Sequence, residues 1–239
     1  MGKSPTNSAV VESIVQHTAD TRSLFLRPVD GQRVVFRPGQ FLSLRLPVDG
    51  EMLTRPYSIA SIPDNSDLLE ICFNLVPDGR GSRYLFSLQI GAVVDFTGPW
   101  GTFVLSQPLA AESVFLADGT GIAPIRPMLW HALTCGEQIP LRLLYHAERE
   151  EDLLYRVELE SWRRQYRSFE FAPILQSPPP GWEGLWGTME EHVQARYVKG
   201  DTDRSRYFYI CGVGLLVLQL RDLLRGAGYQ RRAVLYEKW

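Results

Sequence analysis

Cysteine is scarce and scattered. Cys72, Cys135 and Cys211 lie far apart in a chain of 239 residues, which excludes a disulfide framework, a paired-cysteine zinc site and a four-cysteine iron–sulfur set. The same sparseness points to the reducing cytoplasm. Lysine is nearly missing: among 25 basic residues only Lys3, Lys199 and Lys238 are lysines, so positive charge rides on arginine, the better bidentate partner for phosphate. No excess of basic charge exists. With 27 acidic residues the net charge is −2, which argues against a general nucleic-acid binder. Long apolar runs are lacking too: the most apolar stretch, 213–220, is stopped by Arg221 and Asp222 and is too short to span a bilayer. The first residues carry no signal-peptide apolar core. Residues 1–6 fit a loose myristoylation pattern, which a disordered leader explains more simply. His17, His131, His146 and His192 show no metal-ligand spacing, and no repeat is visible.

What is present is an ordinary globular composition, 45% hydrophobic and 22% charged, at a length that suits two domains. Up to about residue 105 the signals are short β runs at 10–15, 23–27, 41–46, 57–59, 68–76 and 92–96. Turn clusters such as Pro38-Gly39 and Asp49-Gly50 separate them. This spacing predicts a closed antiparallel barrel or sandwich, interrupted by one short helix over 83–88 capped by Ser82. Beyond residue 112 the pattern alternates. Strands are expected at 113–117, 141–146, 169–175, 207–211 and 233–237, with helices at 122–135, 151–165, 187–197 and 215–226, the signature of a parallel sheet covered on both faces. The boundary falls near 107–112, giving domains 8–108 and 109–239.

Three stretches carry candidate chemistry. In Arg55-Pro56-Tyr57-Ser58 an extended backbone turns Arg55 and Tyr57 to one face, which suits a ligand anionic at one end and flat at the other; an ordinary edge strand would also use these residues. Asp78-Gly79-Arg80-Gly81-Ser82 leads into the short helix, so backbone N–H groups and the helix dipole can meet an anion. A glycine-rich hairpin reads the same way. Leu116-Ala117-Asp118-Gly119-Thr120-Gly121-Ile122-Ala123-Pro124 runs from buried strand through a glycine turn into a helix, the placement that brings amides onto a dinucleotide's phosphates. Pro124 stands where a third glycine is usual, and a plain tight turn is the alternative.

Taken in order, these residues resemble the ferredoxin-NAD(P) reductase family. Residues 55–58 match its R-x-Y-S motif, 79–82 its phosphate loop and 98–101 the small turn that follows. Residues 119–124 match G-T-G-I-A-P, Cys211-Gly212 matches C-G, and Tyr236-Glu237-Lys238-Trp239 matches the acidic-aromatic tail. The resemblance implies a Greek-key FAD-binding β-barrel followed by an α/β NAD(P)-binding domain. It implies that Arg55 clamps the FAD pyrophosphate with Gly79, Gly81 and Ser82, that Pro56 fixes the backbone, that Tyr57 stacks on the isoalloxazine, and that Ser58 hydrogen-bonds near its N5. It further implies that Gly119, Thr120, Gly121, Pro124 and Gly212 receive the nicotinamide nucleotide, that Cys211 and Glu237 stand where hydride passes, and that Trp239 covers the flavin.

Three departures stand out: Val213-Gly214-Leu215 replaces a proline-rich segment after Cys211-Gly212, Asp118 sets a carboxylate beside the glycine turn, and Asn74 stands where relatives carry a basic residue. Arg149 can meet a ribose phosphate, yet Glu148, Glu150 and Glu151 surround it, so NADH is favoured over NADPH. The expected activity is electron transfer between NAD(P)H and a separate one-electron acceptor such as a ferredoxin. Arg80 and Arg83 are candidate docking residues. The alternatives are an NAD(P)H:flavin reductase releasing free reduced flavin and a flavin subunit of a larger complex.

Overall fold

The computed structural model describes residues 6–31, 33–63, 66–106, 109, 111–135 and 139–238. They fall into two compact units, one running to Val104 and including Arg126–Met128, the other made of Leu105–Ile125 and the chain from Leu129 onward.

In the first unit β1 (Asn7–Gln16), β2 (Thr21–Pro28), β3 (Phe41–Val48), β4 (Glu51–Ser58), β5 (Leu69–Asn74) and β6 (Val93–Trp100) form one antiparallel sheet in the order β4-β3-β6-β1-β2-β5. The two end strands meet: Ile59 bridges Ile71, and Ala60 N–H donates to Glu70 O at 2.8 Å. That contact closes the predicted barrel, and the placing of β6 between β3 and β1 gives it Greek-key connectivity. Alternation supplies the core. In β3, Leu42, Leu44, Leu46 and Val48 point inward to join Val11, Leu24, Leu26, Ile71 and Phe96.

β4 is longer than expected, and its first residues carried no strand signal because Glu51, Met52, Thr54, Arg55 and Pro56 are all exposed. Its register comes from the turn before it. Asp49 (φ 51°) and Gly50 (φ 77°) both take left-handed conformations, the two-residue hairpin that matches strand twist. The short helix α1 (Arg80–Ser87) starts earlier than the sequence suggested, and Gly79 is its N-cap. Ser82 is therefore inside the helix, where its hydroxyl accepts from Val76 N–H and donates to Gly79 O, both at 3.0 Å.

A buried carboxylate braces the segment after β4. Glu70 accepts from Ser23 Oγ at 2.6 Å and from Arg126 Nη1 at 2.7 Å, while the same Nη1 reaches Ala60 O at 2.8 Å. His17 Nε2 completes the chain by donating to Ser23 Oγ at 2.8 Å. Burial lowers the His17 pKa, with Glu70 opposing, so the ring is neutral at pH 7. Glu70→Gln keeps the shape but removes the charge that satisfies Arg126, so it should lower unfolding stability by about 1–3 kcal/mol in denaturant titration.

The second unit holds β7 (Ser113–Asp118), β8 (Leu141–Ala147), β9 (Phe169–Leu175), β10 (Leu185–Trp186), β11 (Tyr207–Gly212) and β12 (Val234–Lys238), all parallel, in the order β10-β9-β8-β7-β11-β12. Helices α2 (Ile122–Thr134), α3 (Arg156–Gln165), α4 (Met189–Tyr197) and α5 (Leu215–Gly226) follow the expected alternation. α3 starts five residues later than expected because Tyr155 sits at φ 56°, a left-handed break no helix continues through. α4 begins after Thr188, whose hydroxyl accepts Glu191 N–H in a capping box. The strand order reverses between β7 and β11. That switch point opens a crevice at the carboxyl ends of the strands.

Candidate active site

The first unit brings its candidate residues together. Arg55 and Tyr57 share a face of β4, opposite Leu44 and Leu42 of β3. Gly81 lies against both: a Cβ there would stand 3.2 Å from Arg55 Cγ and 3.7 Å from the Tyr57 hydroxyl. A side chain at this position would crowd the arginine stem and require it to shift by a few tenths of an ångström, whereas glycine leaves the backbone open beside it. The first-turn N–H groups of α1 have no intrahelical acceptors and are available to an anion. Arg55 Nη1 donates to Thr54 O at 2.9 Å and, among the described residues, Arg55 pairs with no carboxylate. Arg80, by contrast, is held by Asp49 and Glu51 at 3.2 and 3.1 Å, which leaves Arg83, exposed on α1, as the freer of the two docking candidates.

Tyr57 packs edge-on against Phe73 at 5.5 Å, and Phe73 repeats the contact with Phe86 at 5.5 Å. Burial pushes the Tyr57 phenol up to about 12, with Arg55 opposing, so the ring is a neutral flat surface at any working pH. Ser58, at the inward end of β4, is buried. A permanent cation and a neutral aromatic along β4, with a glycine of α1 set against both, fit a pyrophosphate joined to a planar ring.

The second unit assembles the other set at its switch point. β7 ends at Asp118 and the chain turns through Gly119 (φ 51°), Thr120 and Gly121 into α2, with Pro124 buried in the helix's first turn where a missing N–H costs nothing. The parallel register sets Cys211 beside Ala117 on one side and Glu237 on the other. Gly121 is forced by Cys211, since a Cβ would stand 2.1 Å from Cys211 O and 2.8 Å from Gly212 N. Cys211 is buried and Glu237 half-buried. Trp239 lies outside the described residues.

Arg149 follows β8 as expected, yet its guanidinium is spent on Glu151 at 3.0 Å and Asp152 at 3.2 Å. Beside it Ser177 Oγ donates to Glu148 Oε1 at 2.7 Å, keeping an exposed carboxylate at the carboxyl end of the second strand. A cleft of about 710 Å³ between Arg156, Arg163, Trp182 and Glu170 lies along the β9 edge of the sheet, away from the glycine turn. Arg156 there pairs with Glu150, and Arg163 with Glu160 at 3.7 Å, so both of these arginines are matched.

Three contacts escaped the sequence reading: the Glu70–Arg126 pair, the Tyr145 hydroxyl that donates to Gly119 O at 3.1 Å, and the Asp118–His146 contact at 2.7 Å. The last joins the carboxyl ends of adjacent parallel strands, Asp118 closing β7 and His146 standing one residue before the end of β8.

Known proteins show the same division. The model of the oxidoreductase FAD-binding domain matches residues 8–105 and that of the oxidoreductase NAD-binding domain matches 115–219. Ferredoxin–NADP reductase B of Sorangium cellulosum is 36% identical over 222 residues, covering 91% of each chain. The toluate 1,2-dioxygenase electron transfer component of Pseudomonas putida is 27% identical, over 97% of this chain and 67% of its own. In fold, a ferredoxin NADP+ reductase from Neisseria gonorrhoeae with bound FAD and NADP superposes with a TM-score of 0.81 at 21% identity, covering 100% of this chain and 99% of that one. These likenesses span both units in order, and the chain belongs to the ferredoxin-NAD(P) reductase family, enzymes that join an FAD-binding barrel to an NAD(P)-binding α/β domain.

Proposed function

We propose that this chain takes a hydride from NADH and passes the electrons singly to a separate iron–sulfur protein such as a ferredoxin, in the reducing cytoplasm to which its three dispersed cysteines are suited. FAD binding is assigned to residues 8–108 and nicotinamide nucleotide binding to 109–239. The observation that carries the reading is Arg55, a cation with no carboxylate partner among the described residues, set against Gly81 and Tyr57. Arg55 and the first-turn amides of Gly81 and Ser82 hold the pyrophosphate beside Gly79, whose own N–H is given to Val76 O at 2.9 Å; Pro56 fixes the strand between clamp and ring, Tyr57 supplies the flat contact, and Ser58 the hydroxyl near the reacting edge. Bound FAD supplies the conversion of a two-electron hydride into single electrons. In the second unit Gly119, Thr120, Gly121 and Gly212 receive the dinucleotide, Pro124 shapes the helix entry, and Cys211 and Glu237 flank the nicotinamide.

The acceptor class is supported by the Sorangium relative's name and by the Pseudomonas electron transfer component. A purified protein that reduces an iron–sulfur acceptor steeply less well at high salt, while reduction of a small neutral dye barely changes, would bear the docking out. Faster turnover of free riboflavin than of any protein acceptor would favour the flavin-reductase alternative.

NADH preference rests on Arg149 being neutralised by Glu151 and Asp152, and on Glu148 standing where a ribose diol is read. The Sorangium relative's name points the other way, to NADP. Steady-state kcat/KM is expected to favour NADH by at least about tenfold, the cost of bringing a phosphate dianion to an acidic rim; a preference for NADPH would refute this assignment.

A further inference from the structure

We propose that His146 is a positioning residue for the dinucleotide: it holds the Asp118 carboxylate aside so that the glycine turn can accept a diphosphate. The inference rests on the NAD(P)H reading above. Asp118 closes β7, His146 stands one residue from the end of β8, and the parallel register sets them opposite each other. Nδ1 of the imidazole lies 2.7 Å from Asp118 Oδ1; a carboxylate only accepts, so Nδ1 carries the proton. On the other flank is Gly212, where a Cβ would stand 2.7 Å from Asp118 Cβ. The aspartate is boxed between a glycine and an imidazole.

Its side chain is still 25% exposed, and the next residue is the first glycine of the turn. A free negative charge there would oppose the diphosphate that the turn's amides attract. The imidazole has no other polar contact among the described residues, and its Nε2 is buried without a hydrogen-bond partner. Burying a ring nitrogen that way costs free energy, so packing alone gives no reason for a histidine here; the Asp118 contact does. Tyr145, the preceding residue, acts on the same turn, donating to Gly119 O and accepting from Leu154 N–H, both at 3.1 Å. Two consecutive β8 side chains therefore fix the turn, one through its carbonyl and one through the neighbouring carboxylate.

The test measures the ADP-ribose Kd by calorimetry, together with the KM and kcat for NADH, on the FAD-loaded protein at low and high salt. Wild type, His146→Ala, Asp118→Asn and the double variant are compared. His146→Ala should weaken ADP-ribose binding and raise KM severalfold, with a ceiling of about tenfold set by a unit charge roughly 6 Å away at an effective dielectric of about 40, and with kcat little changed. The double variant should return to within about twofold of wild type, and the single-variant penalty should shrink at about 1 M salt. Unchanged binding in His146→Ala, a double variant as weak as that single one, or a salt-independent loss would each overturn the proposal. If His146→Ala does not fold, Asp118→Asn decides: binding equal to or tighter than wild type supports it, and weaker binding overturns it. A wild type that binds neither ADP-ribose nor NADH removes the NAD(P)H reading and this inference with it, an outcome distinct from a wild type that binds while the variants match it.

Discussion

Arg55→Ala is expected to yield a folded protein that purifies colourless. Arg55 is exposed on β4 and, among the described residues, its side chain bonds to the neighbouring Thr54 carbonyl, so removing it should change the stability of the flavin-free protein by less than about 0.5 kcal/mol. FAD affinity is another matter. Two charge-assisted hydrogen bonds to pyrophosphate, at roughly 1.5–3 kcal/mol each, correspond to a loss of about 10²–10⁴ in Kd. Arg55→Lys should recover only part of it, since an ammonium cannot present two parallel donors. Flavin fluorescence titration gives the affinity and thermal melts of the flavin-free forms give the stability. A colourless but unfolded variant, or one that holds FAD as tightly as wild type, would show that the clamp lies elsewhere.

Gly121→Ala should do the converse, keeping the yellow colour and losing the use of nicotinamide. A methyl at this position would lie 2.1 Å from Cys211 O and 2.8 Å from Gly212 N, and backbone on both sides cannot yield as a flexible side chain would. Either the turn moves away from β11 or the end of β11 moves. Both displace Cys211, and through the β11–β12 register Glu237 as well. A misplacement of about 1 Å near reacting groups costs on the order of 10²-fold in rate, and the overpacking itself about 1–3 kcal/mol of stability. Rapid-mixing reduction by NADH should therefore slow by about a hundredfold while FAD stays bound. The neighbouring Gly119 is a useful control. It meets nothing within 4 Å, so its alanine variant is strained only by its backbone at φ 51°, and the effect should be smaller.

The parts of this molecule that sequence reveals are those written in periodic apolar pattern or in glycine. The barrel's inward leucines in β3 and the parallel strands from Ser113 onward announce themselves through burial, and both anion-ready turns show through Gly79, Gly81, Gly119 and Gly121. β4 was half hidden because most of its residues are exposed and carry no apolar alternation, the property that the proposed flavin clamp would use. The helix starts at Arg80 and Arg156 were misplaced for local backbone reasons, Gly79 as cap and Tyr155 in a left-handed state. The contacts that no pattern encodes are long-range and polar: Glu70 with Arg126, and Asp118 with His146. Each joins residues that chain separation keeps apart and topology brings together.

The central event of the proposed reaction is the arrival of a hydride from reduced pyridine nucleotide on a flavin held by this chain. Anaerobic titration of the purified holoprotein with NADH, followed by visible absorption, tests it directly. One equivalent should bleach the flavin bands, and Gly121→Ala should hold the colour while bleaching slowly. A protein that binds no flavin, or whose flavin neither NADH nor NADPH bleaches, would contradict it.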